Sequence, residues 1–233
     1  MTAGPRAHRS ACAVAALALA AVAEAAPVAV QLRASDGVTL AAALYEVADA
    51  PAVVLVPMYT RTKDDWRPFA ERLQAAGIAA LALDVRGHGG SAGSAAPSPA
   101  MALDVRAAVD YLAARPGGRA VGVVGASLGA TLALMAAADA PLIRGVALLS
   151  PATDYRGVRL EAAVKKYGPR PMYLVASTED PLAARTVRGL VADQLPSQEQ
   201  RLSLVAAHGT QILDRDPDVA AALVDWLRRT LLS

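Results

Sequence analysis

The sequence is poor in cysteine, aromatic side chains and charge. Its single cysteine, Cys12, cannot form a disulfide within the chain and excludes zinc sites built on several cysteines. Aromatic residues make up 4% of the chain, with one Phe, which argues against a platform for stacking nucleic-acid bases. Charged residues make up 19% and the net charge is +2. Because Lys and Arg form no cluster, the sequence predicts no nucleic-acid-binding face.

The chain is instead rich in small and aliphatic side chains, and 55% of its 233 residues are hydrophobic. This composition excludes a disordered chain, which would be poor in apolar residues and rich in charge. The length suits one domain with a sizeable core and is too short for two full catalytic domains.

The beginning of the chain, residues 1–25, has the pattern of a secretory signal peptide. Residues 6–9 contain two Arg and one His, and residues 11–23 form an uncharged apolar stretch. Residues 23–25 read Ala-Glu-Ala, which predicts cleavage before Ala26. Because the apolar stretch is shorter than the roughly 20 residues that span a bilayer, we expect a secreted or periplasmic protein with no stable membrane anchor. An uncleaved anchor or a frayed N-terminal helix is the alternative.

After this segment the sequence alternates between apolar runs of strand length and stretches with helical periodicity. Two short runs flank Ser35-Asp36-Gly37 and predict a β-hairpin. Six further runs alternate with amphipathic helices. The eight predicted strands span residues 28–32, 38–45, 52–56, 78–83, 120–124, 145–149, 171–176 and 202–206. This order predicts an α/β fold with an eight-stranded, mostly parallel sheet and helices on both faces.

Residues 125–129 read Gly-Ala-Ser-Leu-Gly and connect a predicted strand to a predicted helix. A G-x-S-x-G sequence in this context indicates a nucleophile elbow, a strained turn that lifts the Ser127 hydroxyl above the sheet. The two glycines leave room for the strand and the helix to approach closely. The backbone N–H of Leu128, at the helix start, can then face a developing oxyanion. The alternative is an ordinary strand-to-helix turn that contains a serine by chance.

A nucleophilic serine needs a base, and two histidines follow the apolar N-terminal stretch, His88 and His208. His208 comes directly after the last predicted strand, whereas His88 lies in a glycine-rich turn at residues 84–91. The chain order serine, acid, histidine favours His208 as the base. We expect His88 to be a turn residue beneath or beside the site.

The base in turn needs a carboxylate that orients it. Asp180 follows the predicted strand 171–176 and precedes Pro181, which begins a helix. Its position also suits a helix N-cap, which is the competing interpretation. Glu179 and Asp154 are the alternative acids.

A second oxyanion donor is expected on the loop that follows the first buried parallel strand, residues 57–61. The donor is a backbone N–H, so the identity of the side chain matters little. We predict Tyr59, with Met58 as the alternative, because Pro57 has no N–H.

These residues together resemble the α/β-hydrolase superfamily, over essentially the whole of residues 26–233. The resemblance rests on residues 53–56 with the loop after them, on Trp66, and on residues 84–91, 125–129, Asp180 and 208–210. It implies that Ser127 is the nucleophile, Asp180 the acid and His208 the base, with Leu128 and Tyr59 as oxyanion donors.

The sequence departs from this pattern in three places. Many members have His-Gly where this chain has Pro57-Met58, which affects the shape of the oxyanion loop. The His208-Gly209-Thr210 ending is similar to dienelactone-hydrolase-like members, which typically use a cysteine nucleophile, so their substrate is not transferred. Only about twenty residues separate the strands 145–149 and 171–176, enough for one short helix and too few for the large lid of many members.

The resemblance implies that residues 26–233 form a single catalytic domain that cleaves acyl esters of small molecules through an acyl-enzyme, as a carboxylesterase does. Such chemistry requires no metal or organic cofactor and no nucleic-acid partner. A peptidase, thioesterase or lactonase could use the same triad, and a catalytically inactive secreted binding module could share the fold. The sequence indicates no particular oligomeric state.

Overall fold

A computed structural model describes residues 26–115, 120–192 and 198–232 of the chain. The predicted signal peptide, residues 1–25, and Cys12 within it lie outside the described residues. The strands are β1 (Val28–Arg33), β2 (Thr39–Tyr45), β3 (Ala52–Val56), β4 (Ala79–Leu83), β5 (Val121–Ala126), β6 (Ile143–Leu149), β7 (Asp154–Tyr155), β8 (Val158–Arg159), β9 (Met172–Ser177) and β10 (Gln198–Ser203). The α-helices are α1 (Arg67–Ala75), α2 (Ala102–Ala113), α3 (Leu128–Ala138), α4 (Glu161–Tyr167), α5 (Pro181–Ala192), α6 (Gln211–Arg215) and α7 (Pro217–Leu232).

Eight of these strands form one sheet in the order β1-β2-β4-β3-β5-β6-β9-β10. The hairpin β1–β2 and its contact with β4 are antiparallel, and every other pair is parallel. The predicted eight-stranded, mostly parallel sheet is therefore confirmed. The parallel strands all have their carboxyl ends at the same edge of the sheet, so the loops that follow them lie close together. In open α/β sheets, ligands bind at this edge.

Helices cover both faces of the sheet. Consecutive side chains of a strand point to opposite faces, so each strand contributes to both apolar layers. In β3, Val54 and Val56 belong to the apolar layer that contains α2 and α3. Val53 and Leu55 belong to the opposite layer, which contains α1 and α7. All five residues of β3 are buried, as expected for a strand with helices on both sides.

The last strand was predicted at residues 202–206, and this prediction is wrong by about four residues. β10 spans Gln198–Ser203 and pairs with β9 at the end of the sheet. An edge strand exposes its side chains to water, so its polar sequence gives no apolar signal, while Leu204 beyond it is 83% exposed. As a result, His208 follows a four-residue loop and not the strand itself.

The segment between β6 and β9 contains no large cap. It holds the short hairpin β7–β8 and the helix α4, which has seven residues. The short helix was predicted and the hairpin was not. Within the described ranges, no helix is both long and apolar enough to cross a membrane.

Candidate active site

Ser127 lies at the sharp turn between β5 and α3. Its backbone angles, φ 53° and ψ −118°, are unusual for a residue with a side chain. The turn is held by the Ser127 N–H, which donates to the Leu149 carbonyl at 2.8 Å. This geometry is that of a nucleophile elbow, in which the surrounding sheet imposes strain on the serine.

The glycines on both sides of Ser127 are required by close backbone contacts. A Cβ at Gly125 would overlap the Gly129 carbonyl, and a Cβ at Gly129 would overlap the carbonyl of Val56 at the end of β3. Helix α3 can therefore lie directly against the sheet only because both positions lack a side chain, as the sequence predicts.

His208 and Asp180 form a hydrogen-bonded pair at the same edge of the sheet. The Nδ1 of His208 and the Oδ2 of Asp180 are 2.5 Å apart. The His208 side chain is 48% exposed and that of Asp180 is 18% exposed, so the imidazole reaches the surface while the carboxylate lies below it. The other carboxylate oxygen, Oδ1, accepts from the Ala183 N–H at 3.2 Å. Asp180 therefore caps α5 and binds His208 at once, so the two interpretations of this residue are compatible.

Neither alternative acid takes this position. The carboxylate of Asp154 accepts from the Gly157 N–H at 2.8 Å and from Arg159 at 3.0 Å. These two donors stabilise the charged form and hold the pKa of Asp154 below its ordinary value. Glu179 is exposed, and its backbone N–H donates to Ser177 Oγ at 3.0 Å.

Ser150, which was not predicted as a site residue, holds the loop that carries His208. Ser150 is buried directly after β6 and has φ 48°. Its Oγ accepts from the Gly209 N–H at 2.9 Å. Gly209 itself has φ 57°, and a Cβ there would overlap the Met58 sulfur. The loop that carries His208 is thus fixed against β6 and against the loop after β3. A polar residue at the carboxyl end of a buried strand was the available signal.

His88 has a different environment. It is 8% exposed, its Nδ1 lies 3.0 Å from the Arg86 carbonyl, and its Nε2 lies 3.1 Å from the Thr60 N. Because the carbonyl can only accept, Nδ1 carries the proton and Nε2 accepts from the Thr60 N–H. Both nitrogens are therefore occupied by backbone groups. His88 also touches Tyr59 edge-on, with 5.6 Å between ring centroids, so it supports the loop after β3 from below.

Two buried carboxylates hold the turn around His88. Asp84 accepts from the Lys63 backbone N–H at 2.7 Å, from Lys63 Nζ at 3.0 Å and from the Gly90 N–H at 2.9 Å. Arg86 binds Asp104, which is fully buried, and also Asp36. The hydrogen bond from Arg86 lowers the pKa of Asp36. These contacts tie the turn to the neighbouring loops and to α2.

A depression of about 390 Å³ contains three of the predicted site residues, Ser127, His208 and Tyr59. Between Ser127 Oγ and His208, no hydrogen bond is formed in this structure, a gap that is common before substrate binds. The backbone N–H groups of Tyr59 and Leu128 donate to no acceptor among the described residues. The depression is lined by Met58, Tyr59, Thr60, Arg61, Ser127, Tyr155, His208 and Gln211.

The described residues contain no group of three or more His, Cys, Asp or Glu side chains that could hold a metal ion. The depression and its surroundings offer a serine, an imidazole with a carboxylate beneath it, and two backbone N–H donors. Such a set can transfer an acyl group through a covalent intermediate.

The fold is that of the α/β hydrolases. The family model for serine aminopeptidase, S33, matches residues 48–167, just over half of the chain. The chain belongs to this hydrolase family.

Solved structures agree on the fold. An esterase from Pyrococcus furiosus superposes with a TM-score of 0.77 at 19% identity, over 88% of this chain and 91% of that one. A dienelactone hydrolase from Anabaena variabilis gives a TM-score of 0.72 at 22% identity, over 88% of this chain and 98% of that one. A search of curated protein sequences found no significant match.

Proposed function

We propose that the protein is a serine hydrolase that cleaves carboxylic esters of small molecules through Ser127, His208 and Asp180. The observation that carries this proposal is the shared depression. Ser127 lies on a strained turn in it, beside an imidazole whose Nδ1 lies 2.5 Å from a partly buried carboxylate. On this proposal, residues 26–233 form one catalytic domain.

In the first half of the reaction, Ser127 Oγ attacks the ester carbonyl and its proton passes to His208 Nε2. Asp180 accepts from the Nδ1–H, which keeps the imidazole in the useful tautomer and stabilises the imidazolium. The tetrahedral intermediate then expels the alkoxide, which takes the proton from Nε2 and leaves as an alcohol. The acyl group remains on Ser127.

In the second half, water attacks the acyl-enzyme while His208 Nε2 takes one of its protons. The bond from the carbonyl carbon to Ser127 Oγ breaks, and the serine recovers its proton from the imidazolium. The products are one carboxylic acid and one alcohol for each ester and water consumed, so no cofactor enters the balance.

The oxyanion of each tetrahedral intermediate is assigned to the N–H groups of Leu128 and Tyr59. Both lack an acceptor in the described part of the protein, and Leu128 begins a helix whose dipole favours negative charge. Each such donor contributes about 2.7–4 kcal/mol to transition-state stabilisation. The position of a backbone donor depends on the conformation of its loop. His88 accepts from the Thr60 N–H and therefore helps to fix the loop that carries Tyr59.

Cleavage of amides is the second candidate, and the name of the matching family, serine aminopeptidase, is the observation that favours it. An amide has a poorer leaving group than an ester and demands protonation of the departing amine by His208. Thioesters and lactones need the same residues. A catalytically inactive binding module is the remaining alternative.

The test is hydrolysis of 4-nitrophenyl acetate, butyrate and octanoate by the purified protein and by its Ser127→Ala variant. We expect turnover of at least the shorter esters by the wild type and none above background by the variant. Alanine 4-nitroanilide, tested beside them, measures amide cleavage. Turnover of the anilide with no ester turnover would move the assignment to a peptidase. A folded wild type that cleaves no substrate would favour the binding module.

We further propose that residues 1–25 are a signal peptide and that the mature protein is secreted or periplasmic. The support is the sequence pattern alone. The test is N-terminal sequencing of the protein recovered from the periplasm of a bacterial host that expresses the full chain. A new N-terminus at Ala26 is the expected result, and an intact N-terminus in the cytoplasm would contradict it.

A further inference from the structure

The hairpin β7–β8 ends in a tight two-residue turn at Arg156 and Gly157. Both residues have positive φ, 50° and 88°, as the two central residues of a type I′ turn require. The pairs Tyr155–Val158 and Asp154–Arg159 close the hairpin, and Asp154 Oδ1 accepts from the Gly157 N–H at 2.8 Å. A residue other than glycine or asparagine is uncommon at φ 50°, so Arg156 occupies this position at a conformational cost.

This turn places the Arg156 guanidinium at the rim of the active-site depression. Its central carbon lies 5.3 Å from the ring centroid of Tyr59 and 5.8 Å from that of Tyr155. Both rings line the depression together with Ser127 and His208. The two rings are also in contact with each other, with 5.6 Å between centroids. The aromatic pair therefore supports a cation at the edge of the depression that contains the reacting serine.

Among the described residues, no carboxylate pairs with the Arg156 charge. The guanidinium instead lies against the two aromatic faces. Two neighbouring charged side chains have partners: Arg61 pairs with Asp65 at 2.5 Å, and Asp180 binds His208 Nδ1. Asp154, two residues from Arg156, binds Arg159 on the opposite strand. Among the described residues, Arg156 is thus a cation with open hydrogen-bond donors, next to two tyrosines that line the same depression as Ser127.

We propose that Arg156 is a specificity residue that binds a carboxylate on the substrate, so that the protein prefers esters whose acyl or alcohol part carries a negative charge. A guanidinium presents donors in a planar fork that matches a carboxylate, and the rings beneath it hold the fork in place. This inference rests on the proposed ester hydrolysis and adds to it the class of ester.

The experiment compares matched anionic and neutral esters. In the acyl series, mono-4-nitrophenyl adipate carries a terminal carboxylate, and the corresponding adipamide ester is its neutral match. In the alcohol series, 3-carboxyphenyl acetate is compared with 3-carbamoylphenyl acetate. We expect kcat/KM to be about tenfold or more higher for the anionic member of at least one series, as expected for about 1.4 kcal/mol of added binding.

The variants separate recognition from structure. Arg156→Gln is expected to abolish the preference and to leave the neutral esters within about twofold of the wild type. Arg156→Lys keeps the charge without the fork and is expected to retain part of the preference. Arg159→Gln is the matched control, because it removes the same charge from the same hairpin at a residue that binds Asp154. We expect this variant to keep the wild-type preference for anionic esters.

The outcomes of this experiment are distinct. Hydrolysis with no anionic preference in either series overturns this inference and leaves the proposed function standing. An equal loss for neutral and anionic esters in Arg156→Gln also overturns it, because Arg156 would then only hold the hairpin. If nothing is hydrolysed, the proposed function fails. Calorimetric binding of adipate monoamide to Ser127→Ala, with and without Arg156→Gln, then decides the anion contact alone, and the absence of binding overturns it.

Discussion

Two loops at the same edge of the sheet each carry a histidine, and the two side chains have opposite environments. His88, after β4, is buried, and both of its ring nitrogens bond backbone groups, the Arg86 carbonyl and the Thr60 N–H. His208, after β10, is half exposed, its Nδ1 bonds Asp180, and it lines the depression that contains Ser127.

The comparison shows why the number of free nitrogens matters more than the presence of a histidine. An imidazole can exchange a proton with a serine only if one ring nitrogen has no other hydrogen-bond partner. The hydrogen bond of the other nitrogen must also keep the ring in one tautomer. His208 meets both conditions and His88 meets only the second. His88 instead bonds the Thr60 N–H and so holds the loop that carries Tyr59, next to the depression that His208 lines.

The largest effect is expected for His208→Asn. This variant removes the proposed base, and kcat for a 4-nitrophenyl ester should fall on the order of 10⁶-fold. Because the side chain is half exposed, the urea midpoint of unfolding should stay close to that of the wild type. Retention of more than about a tenth of the activity would show that another group takes the serine proton.

Asp180→Asn should reduce kcat on the order of 10⁴-fold, since an amide cannot hold the imidazole in the same tautomer or stabilise its cation. The measurement is kcat for the same ester. Asp180 also caps α5, and asparagine is an equally good cap, so stability should change little. Asp154→Asn is the control, and a similar loss of activity there would contradict the assignment of the acid.

His88→Ala should act mainly on stability. It leaves the Thr60 N–H and the Arg86 carbonyl without their partner in a largely buried place, at a cost of about 1–3 kcal/mol in the free energy of unfolding. Chemical denaturation measures this loss. Activity should fall far less than in His208→Asn. If His88→Ala folds normally and loses all activity, the roles of the two histidines are reversed.

A smaller effect concerns the acid stability of the turn around His88. The Arg86 guanidinium lowers the pKa of Asp36 below its ordinary value of 3.8. A carboxylate whose pKa is lower in the folded state adds stability above its unfolded pKa and loses it as the pH falls through the folded pKa. Asp36→Asn should therefore be less stable than the wild type at pH 6, and the difference should shrink below about pH 4. A difference that stays constant down to pH 3 would exclude this linkage.

The interior of the sheet could be predicted from the sequence, because buried parallel strands are continuous apolar runs. β3 has the predicted bounds, and the predictions for β4, β6 and β9 differ by one or two residues at an end. The edge strand β10 was misplaced and the short hairpin β7–β8 was missed, since exposed strands of polar composition have no such signal.

The candidate site shows the same division. Ser127, Asp180 and His208 follow strands or begin helices in a recognisable order, so pattern and position are enough to predict them as candidates. The contacts of Ser150 with Gly209 and of His88 with Thr60 join residues 59 and 28 positions apart. Such contacts depend on how loops meet in three dimensions, which the sequence of either loop alone does not determine.

The most direct test of the central claim is labelling with a fluorophosphonate probe, which reacts preferentially with an activated serine, followed by peptide mass mapping. Wild type, His88→Ala, His208→Asn and Ser127→Ala are compared under identical conditions. We expect the label on Ser127 in the wild type and in His88→Ala, and no label in the other two. Label on Ser127 at the wild-type rate in His208→Asn, or on a different residue of the wild type, would contradict the central claim.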